Sequence, residues 1–234
     1  MALWREAGKI RTSDLRGVGF RGGDLDTYVF ADVHGMLHKL VDLLERVPFR
    51  IDRDTIVFLG DYIDRGPDSK GVLDIIIDLI DTGMRVVCLR GNHECMLKDF
   101  LDGKEPLLFL YNGGAATLKS YRQSAVLGRD LILPDRHRDF LDRLLPWYEM
   151  DDFILVHAGL RPGIPLEQQE EKDLYWIRHE FIYSDYDFGK TVVFGHTPFS
   201  HPFIGRKRIG IDTGAVYGNK LTCVRLPDVE FYSV

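Results

Sequence analysis

Three short apolar runs, TYVFA (27–31), TIVFLG (55–60) and MRVVCLR (84–90), alternate with helical patterns over the first hundred residues. Leu37, Leu40, Val41 and Leu44 recur at helical spacing within 36–47. The stretch SKGVLDIIIDLIDTG (69–83) follows the second run, with Ser69 placed to cap a helix and Gly83 to stop it. A third helical pattern, ECMLKDFL, occupies 94–101. This β-α-β-α-β order predicts parallel strands joined by right-handed crossovers and buried on both faces. Residues 114–150 read as mostly helical with a loop. The second half is strand-rich, with FILVHAG (153–159), TVVFGH (191–196), RIGID (208–212) and LTCVRL (221–226). Those strands predict a second sheet or an antiparallel extension of the first. No repeat, low-complexity tract or Pro/Gly/Ser linker interrupts the chain, so residues 1–234 are expected to form one domain.

The formal net charge is −6, which excludes a global basic field for nucleic acid or anionic membrane. The N-terminal MALWREAGKIRTSDLRG is mixed and charged and has no apolar core of signal-peptide length. No window approaches the ~18 consecutive apolar residues of a membrane span. Cys88, Cys95 and Cys223 form no CxxC and are expected to be reduced, and a cytoplasmic location is expected.

Chemistry collects where the apolar runs stop. The first ends in Asp32-Val-His34-Gly35, the second in Asp61-Tyr-Ile-Asp64-Arg65-Gly66, the third in Arg90-Gly91-Asn92-His93-Glu94. Two later runs end in His157-Ala-Gly159 and at His196. Ligands of parallel α/β sheets bind beyond the carboxyl ends of strands. Any one of these residues could merely form a turn, but Asp, His, Asp, Asn, His and His at five strand ends point to metal. Asp32 and His34, two apart, would share one side of an extended chain. Carboxylates mixed with imidazoles suit Mn, Fe, Zn or Ni better than Ca. Six ligands exceed the needs of one ion, and two ions ~3.5–4 Å apart are the usual device for in-line displacement at phosphorus. Arg65 would meet phosphate as a planar fork. His93, next to Asn92 and facing the other way in an extended segment, would be the proton donor, with Asp64 the spare acid to hold it.

Taken in order, Asp-x-His-Gly, Gly-Asp-Tyr-Ile-Asp-Arg-Gly, Arg-Gly-Asn-His-Glu, His-Ala-Gly and Gly-His-Thr-Pro resemble the PPP-type serine/threonine protein phosphatases, the short bacterial and phage members above all. The resemblance runs from 32 to 214. It implies a metallophosphoesterase (calcineurin-like) fold of mixed α/β (α+β) class, two sheets packed as a sandwich and flanked by helices. It implies a first metal on Asp32, His34 and Asp61 and a second on Asp61, Asn92, His157 and His196, Asp61 bridging. His93 matches the family's general acid, Asp64 its partner, and Arg65, Arg178 and Asn92 the phosphate-binding groups. Ala31 stands where the family usually has Gly, and the eukaryotic C-terminal toxin-contacting segment is replaced by IDTGAVYGNKLTCVRL.

The expected function is a dinuclear, most simply Mn²⁺-dependent, hydrolysis of phosphoserine and phosphothreonine monoesters in proteins or peptides, phosphotyrosine included, by a metal-bridging hydroxide. The alternative is a dinucleoside polyphosphate (diadenosine tetraphosphate) hydrolase or another nucleotide phosphoesterase. The resemblance ranks it second, because that branch usually replaces the second aspartate of GDxxDRG and reads Gly-Asn-His-Asp. A module that binds phosphopeptide without turnover is the non-enzyme reading, and the complete ligand set speaks against it. Phosphorylated proteins are the expected partners, with no nucleic acid or membrane, and a monomer suffices. His38, His137, His179 and His201 are expected at the surface or in packing, Arg90 as a brace, Arg206-Lys207-Arg208 as a solvated hairpin turn, and Tyr217 near the cleft mouth.

Overall fold

The computed structural model describes residues 25–121 and 133–234, so the N-terminal reading and part of the 114–150 stretch lie outside the described residues. Strands β1 (Thr27–Phe30), β2 (Thr55–Phe58) and β3 (Arg85–Cys88) are parallel neighbours, crossed over by helices α1 (Leu37–Arg46) and α2 (Ser69–Asp81). Helix α3 (Asn92–Leu101) follows, then the short α4 (Pro106–Phe109), a π-type turn at Leu110–Gly114, α5 (Ala115–Ser120) and α6 (Asp135–Asp142). A second sheet is built from β4 (Trp147–Glu149), β5 (Phe153–Val156), β6 (Thr191–Phe194), β7 (Phe203–Gly205) and β8 (Arg208–Gly210), in the order β4-β5-β6-β8-β7. Helices α7 (Glu171–Trp176) and α8 (His179–Ile182) lie between β5 and β6 in the chain. The last strands, β9 (Thr222–Leu226) and β10 (Glu230–Ser233), return to the first sheet, giving β10-β9-β1-β2-β3 with β9 antiparallel to β1.

The period-2 alternation of strand side chains assigns each face a layer. Tyr28, Phe30, Ile56 and Phe58 join a core with Leu40, Leu43, Val72 and Ile76 of the crossover helices. Their neighbours Val29, Val57 and Leu59 turn the other way and pack with Phe153, Leu155, Val193 and Val224, so the sheets are stacked face to face. Ile154, Val156, Val192 and Phe194 form the outer core of the second sheet with Leu174 and Phe181. Burial on both faces is why the runs read as continuously apolar rather than alternating. The expected two-sheet sandwich flanked by helices is the fold that forms, and both offered roles of the later strands are realised: a second sheet, and an antiparallel extension.

Several local expectations change. The side chain capping α2 is Asp68, whose Oδ1 accepts from Gly71 N–H at 2.8 Å; Ser69 is buried and its hydroxyl is used elsewhere. Strands β4, β7 and β10 escaped the reading because each is short and lies at a sheet edge. Arg206 and Lys207 are exposed as expected of a hairpin turn, but Arg208 is buried. Its guanidinium donates to the carbonyls of Phe181, Arg206 and Tyr186 at 2.9–3.0 Å and lies 5.1 Å from the Phe181 ring centroid. All three cysteines are free. Among the described residues no helix is long and apolar enough to cross a membrane.

At the end of the sheet opposite the strand-end motifs, buried Asp54 accepts from Arg50 N (2.8 Å), Nε (3.0 Å) and Nη2 (2.9 Å). Burial alone would raise its carboxyl, but the bonds from Arg50 outweigh that and hold it below the ordinary value. Asp54→Ala should therefore lower the urea midpoint with an unchanged slope, a loss of about 1–3 kcal/mol. Because the folded-state value is depressed, this contribution is present above the unfolded carboxyl value and disappears as pH falls through the folded one. Stability curves of the variant and the parent should converge at acid pH.

Candidate active site

Every strand-end motif arrives at one place. Asp32 and His34 leave β1, Asp61, Asp64 and Arg65 leave β2, Asn92 and His93 open α3, and His157 and His196 leave β5 and β6. All five strands are parallel within their sheets, so their carboxyl ends converge from both halves of the sandwich. The backbone there is unusual. Of nine non-glycine residues with positive φ among those described, six are Asp32, His34, Asp61, Asp64, Arg65 and His196. Left-handed non-glycine residues are costly and survive where surrounding structure imposes them. Asp32 (φ 43°) and His34 (φ 44°) are thus not two residues of an extended chain sharing a side. Asn92 and His93 likewise occupy the first turn of α3, with Gly91 at its cap, rather than an extended segment. The residues meet as expected, for a different local reason. Two glycines make the approach feasible. Gly60 has φ 109° and a Cβ there would lie 2.5 Å from Gly91 N, and a Cβ on Gly66 would drive into the His34 carbonyl.

Asp61 is the centre. Its Oδ1 lies 3.5 Å from His157 Nε2, while its Oδ2 lies 3.4 Å from His34 Nε2 and 3.9 Å from His93 Nε2. The two oxygens therefore face different histidines, and Asp61 belongs to both clusters of convergent donors: His34–Asp61–His93 and Asp61–His157–His196. His34 Nδ1 donates to the Ile63 carbonyl (2.8 Å) and His157 Nδ1 to the Leu59 carbonyl (3.0 Å). That fixes the tautomer and leaves each Nε2 lone pair aimed inward. Burial keeps these rings neutral, lowering His34 to about 3 and also lowering His157 and His196. Burial would raise Asp61 and positive charge on the facing histidines, His157 foremost, would lower it; with those rings neutral, the His93 N–H on Oδ1 and the His93 imidazole, itself raised, favour the carboxylate. His157 Nε2 and His196 Nδ1 each stand 3.0 Å from Asn92 Oδ1, and buried His196 Nε2 has no hydrogen-bond partner. Inward lone pairs around a shared carboxylate fit two metal ions. One departure concerns Asp32. It is buried beside the site, but both of its oxygens accept from His196 N–H (3.0 and 3.1 Å) and stand outside the two clusters, where His93 appears instead. Burial and the charges of Asp212 and Asp61 raise its carboxyl.

The acid and its partner are joined directly, with His93 Nδ1 donating to Asp64 Oδ2 at 2.7 Å and both side chains buried. Burial disfavours the imidazolium, yet Asp61 and Asp64 together raise the His93 pKa above its ordinary value. His93 Nε2 is buried with no hydrogen-bond partner, free to hold a proton toward a substrate. The structure adds residues whose roles the sequence did not announce. Glu94 accepts from the backbone N–H of Asp61 and Tyr62 (2.9 Å each) and of Gly91 (3.0 Å), clamping the second motif to the third. Asp61 Oδ1 in turn accepts from His93 N–H at 3.1 Å, at the N-terminus of α3. Thr117 bonds Asp64 from α5, and Asp212, buried beyond β8, has its carboxyl raised to about 6 by burial and by Asp61 against the Gly214 N–H it accepts. Glu94 and Asp212 carried a signal, since each sits in a motif; Thr117 carried none.

The phosphate-binding candidates are less uniform. Arg65 is half-buried, with Nη1 donating to His34 Nε2 at 2.7 Å and its guanidinium 5.6 Å from the Tyr217 ring centroid. Arg178 is exposed at the rim, Nη1 3.5 Å from Thr197 Oγ1, and its charge lowers both His157 and His196. Trp176 stands edge-on to His196, the ring centroids 6.1 Å apart, and Tyr217 is 63% exposed at the mouth. Arg90 is a brace, as expected, reaching the Leu141 carbonyl at 3.5 Å. Of the remaining histidines, His38, His179 and His201 are exposed, whereas His137 is fully buried between Tyr121 and Asp74.

His93→Asn should leave metal content near that of the parent while kcat on a monoester with a poor leaving group, such as phenyl phosphate, falls about 10²–10⁴-fold, the usual worth of general acid catalysis. Asp61→Asn should instead reduce metal content at both positions. Elemental analysis of the purified variants beside their kinetics checks both. Metal lost from the His93 variant and kept by the Asp61 variant would reverse the assignment.

Comparisons with known proteins point to one family. The family model for calcineurin-like phosphoesterases matches residues 25–225. The chain is 28% identical to the asymmetrical bis(5'-nucleosyl)-tetraphosphatase PrpE of Oceanobacillus iheyensis, over 88% of this chain and 90% of that protein. It is 30% identical to serine/threonine-protein phosphatase 1 of Salmonella typhimurium, over 85% of this chain and 91% of that one. The solved structure of a protein provisionally assigned as a diadenosine tetraphosphatase superposes with a TM-score of 0.70 at 25% identity, covering 92% of this chain and 95% of that chain. With its family motifs gathered around Asp61 and the family model spanning nearly all of its described residues, the chain belongs to the calcineurin-like phosphoesterases, PPP-type phosphatases among its relatives.

Proposed function

We propose that this phosphoesterase hydrolyses the phosphoanhydride chain of dinucleoside polyphosphates, with diadenosine tetraphosphate as the first substrate to consider. The observation that carries this reading is the near-full-length relationship to the Oceanobacillus tetraphosphatase. It reverses the order in which the sequence motifs rank the two substrate classes. That ranking leaned on Asp64 and Glu94, and each has a structural duty that is independent of the bond cleaved. Asp64 Oδ1 accepts from the buried hydroxyl of Thr117, and Glu94 holds three backbone N–H groups. Neither residue therefore argues against an anhydride substrate.

Two metal ions, when bound, would supply Lewis acidity and an acidified water. Asp32, His34 and Asp61 would hold one, and Asp61, Asn92, His157 and His196 the other, Mn²⁺ suiting the mixed oxygen and nitrogen donors as Fe, Zn or Ni also do. Arg65 Nη1 rests on the His34 Nε2 lone pair that a metal would take, so with metal bound its whole fork would be available to phosphoryl oxygens, and Arg178 at the rim offers a second fork. The exposed face of Tyr217 offers a nucleobase a place to stack. In the reaction a water oxygen bonds to phosphorus and gives up a proton to solvent as the bond to the departing oxygen breaks, and the electron pair of that bond leaves with the departing oxygen.

A second reading, hydrolysis of phosphoprotein monoesters, draws on the His93–Asp64 pair. A departing polyphosphate is stable as an anion, whereas a serine or threonine alkoxide needs a proton as it leaves, and His93 is built to give one. The Salmonella relative fits that reading. With Mn²⁺ supplied, kcat/KM for diadenosine tetraphosphate should exceed that for phosphoserine and phosphothreonine peptides by about tenfold or more, at least ~1.4 kcal/mol of transition-state preference. A preference for the peptides would replace the first reading with the second.

A further inference from the structure

We infer that Thr117 is a positioning residue for proton donation, setting the orientation of Asp64 and through it the proton-bearing nitrogen of His93. Thr117 is fully buried in the six-residue helix α5. A helical threonine ordinarily bonds its own preceding turn. Here the hydroxyl leaves its helix, and its hydrogen bonds go to the second motif and its flank. Thr117 Oγ1 lies 2.6 Å from Asp64 Oδ1, 2.9 Å from Asp64 N and 3.0 Å from Ser69 Oγ. An ionised carboxylate only accepts, so the single hydroxyl proton goes to Asp64 Oδ1. The two lone pairs then take the Asp64 N–H and the Ser69 O–H, and the hydroxyl is fully used. Asp64 is thereby held at both ends, by Thr117 on Oδ1 and by His93 on Oδ2, in a left-handed backbone conformation with φ 71° that its N–H bonds help to impose. The preceding turn is tied to the same motif, Arg65 N–H donating to the Gly113 carbonyl at 3.2 Å. A Cβ on Gly113 would lie 2.7 Å from Arg65 Cγ, so this segment supports the acid pair and the arginine together.

This inference rests on reading His93 as the acid, and the test separates the two. The probes are phenyl phosphate, whose poor leaving group needs the proton, and p-nitrophenyl phosphate, whose leaving group does not. Thr117→Val keeps the shape and leaves Asp64 N–H with Ser69, while it removes the proton on Oδ1 and the acceptor of the Ser69 O–H. It should lower kcat on phenyl phosphate about 10–100-fold, the scale of a displaced catalytic group, and kcat on p-nitrophenyl phosphate less than about threefold. Thr117→Ser should recover phenyl phosphate turnover, which a purely structural loss would not explain. Should Thr117→Val unfold, Thr117→Ala decides, because it removes the same hydroxyl proton from Asp64 Oδ1 and should show the same asymmetry. Equal losses on both substrates, or none, overturn the inference. His93→Asn locates the fault: asymmetry there without asymmetry at Thr117 removes only the positioning role, and its absence in both removes the acid assignment as well.

Discussion

A single buried carboxylate, Asp61, organises the site. Its oxygens face histidines contributed by both sheets, His34 on one side and His157 on the other. Such a group can stay ionised in the interior only if its charge is answered. The N–H and the imidazole of His93 answer part of it, and the donor set fits two cations that would answer the rest. Much of the surrounding structure serves to hold this arrangement. Glu94 pins the Asp61 turn, Asp32 pins the His196 backbone, and Gly60 and Gly66 allow the strand ends to close.

The fold follows from stacking two sheets whose parallel strands end at the same level. Three cores, two outer and one between the sheets, are filled by alternate residues of the same short strands. That geometry gives a rigid platform for residues in costly backbone conformations, because strain at a strand end persists only where packing beneath it is firm. Arg65 and Arg178 differ in this respect. The first is tied to His34, whereas the second reaches only Thr197 from an exposed rim. Arg178 is therefore the less constrained of the two.

Much of this was legible in the sequence. Metal-ligating residue types at five strand ends located the site, and their order gave the family. The residues missed share a cause. Thr117 acts across 53 positions through one hydroxyl in a helix with no motif, and no local pattern encodes a contact of that range. Edge strands such as β4 and β7 are too short for a period to show. The basic run at 206–208 misled because adjacent charged residues can point into different layers, and Arg208 is sheltered by Phe181 and Phe188. Ranking substrates by Asp64 and Glu94 failed to discriminate for a related reason: both residues also hold the turn together, so their presence reports architecture before chemistry.

The central claim is that Asp61 is shared between two metal ions. Anomalous scattering from crystals of the protein grown with Mn²⁺ tests it most directly. Two peaks are expected, one between Asp61 and His34, the other among Asp61, His157 and His196. One peak, or two that do not share Asp61, would contradict the account.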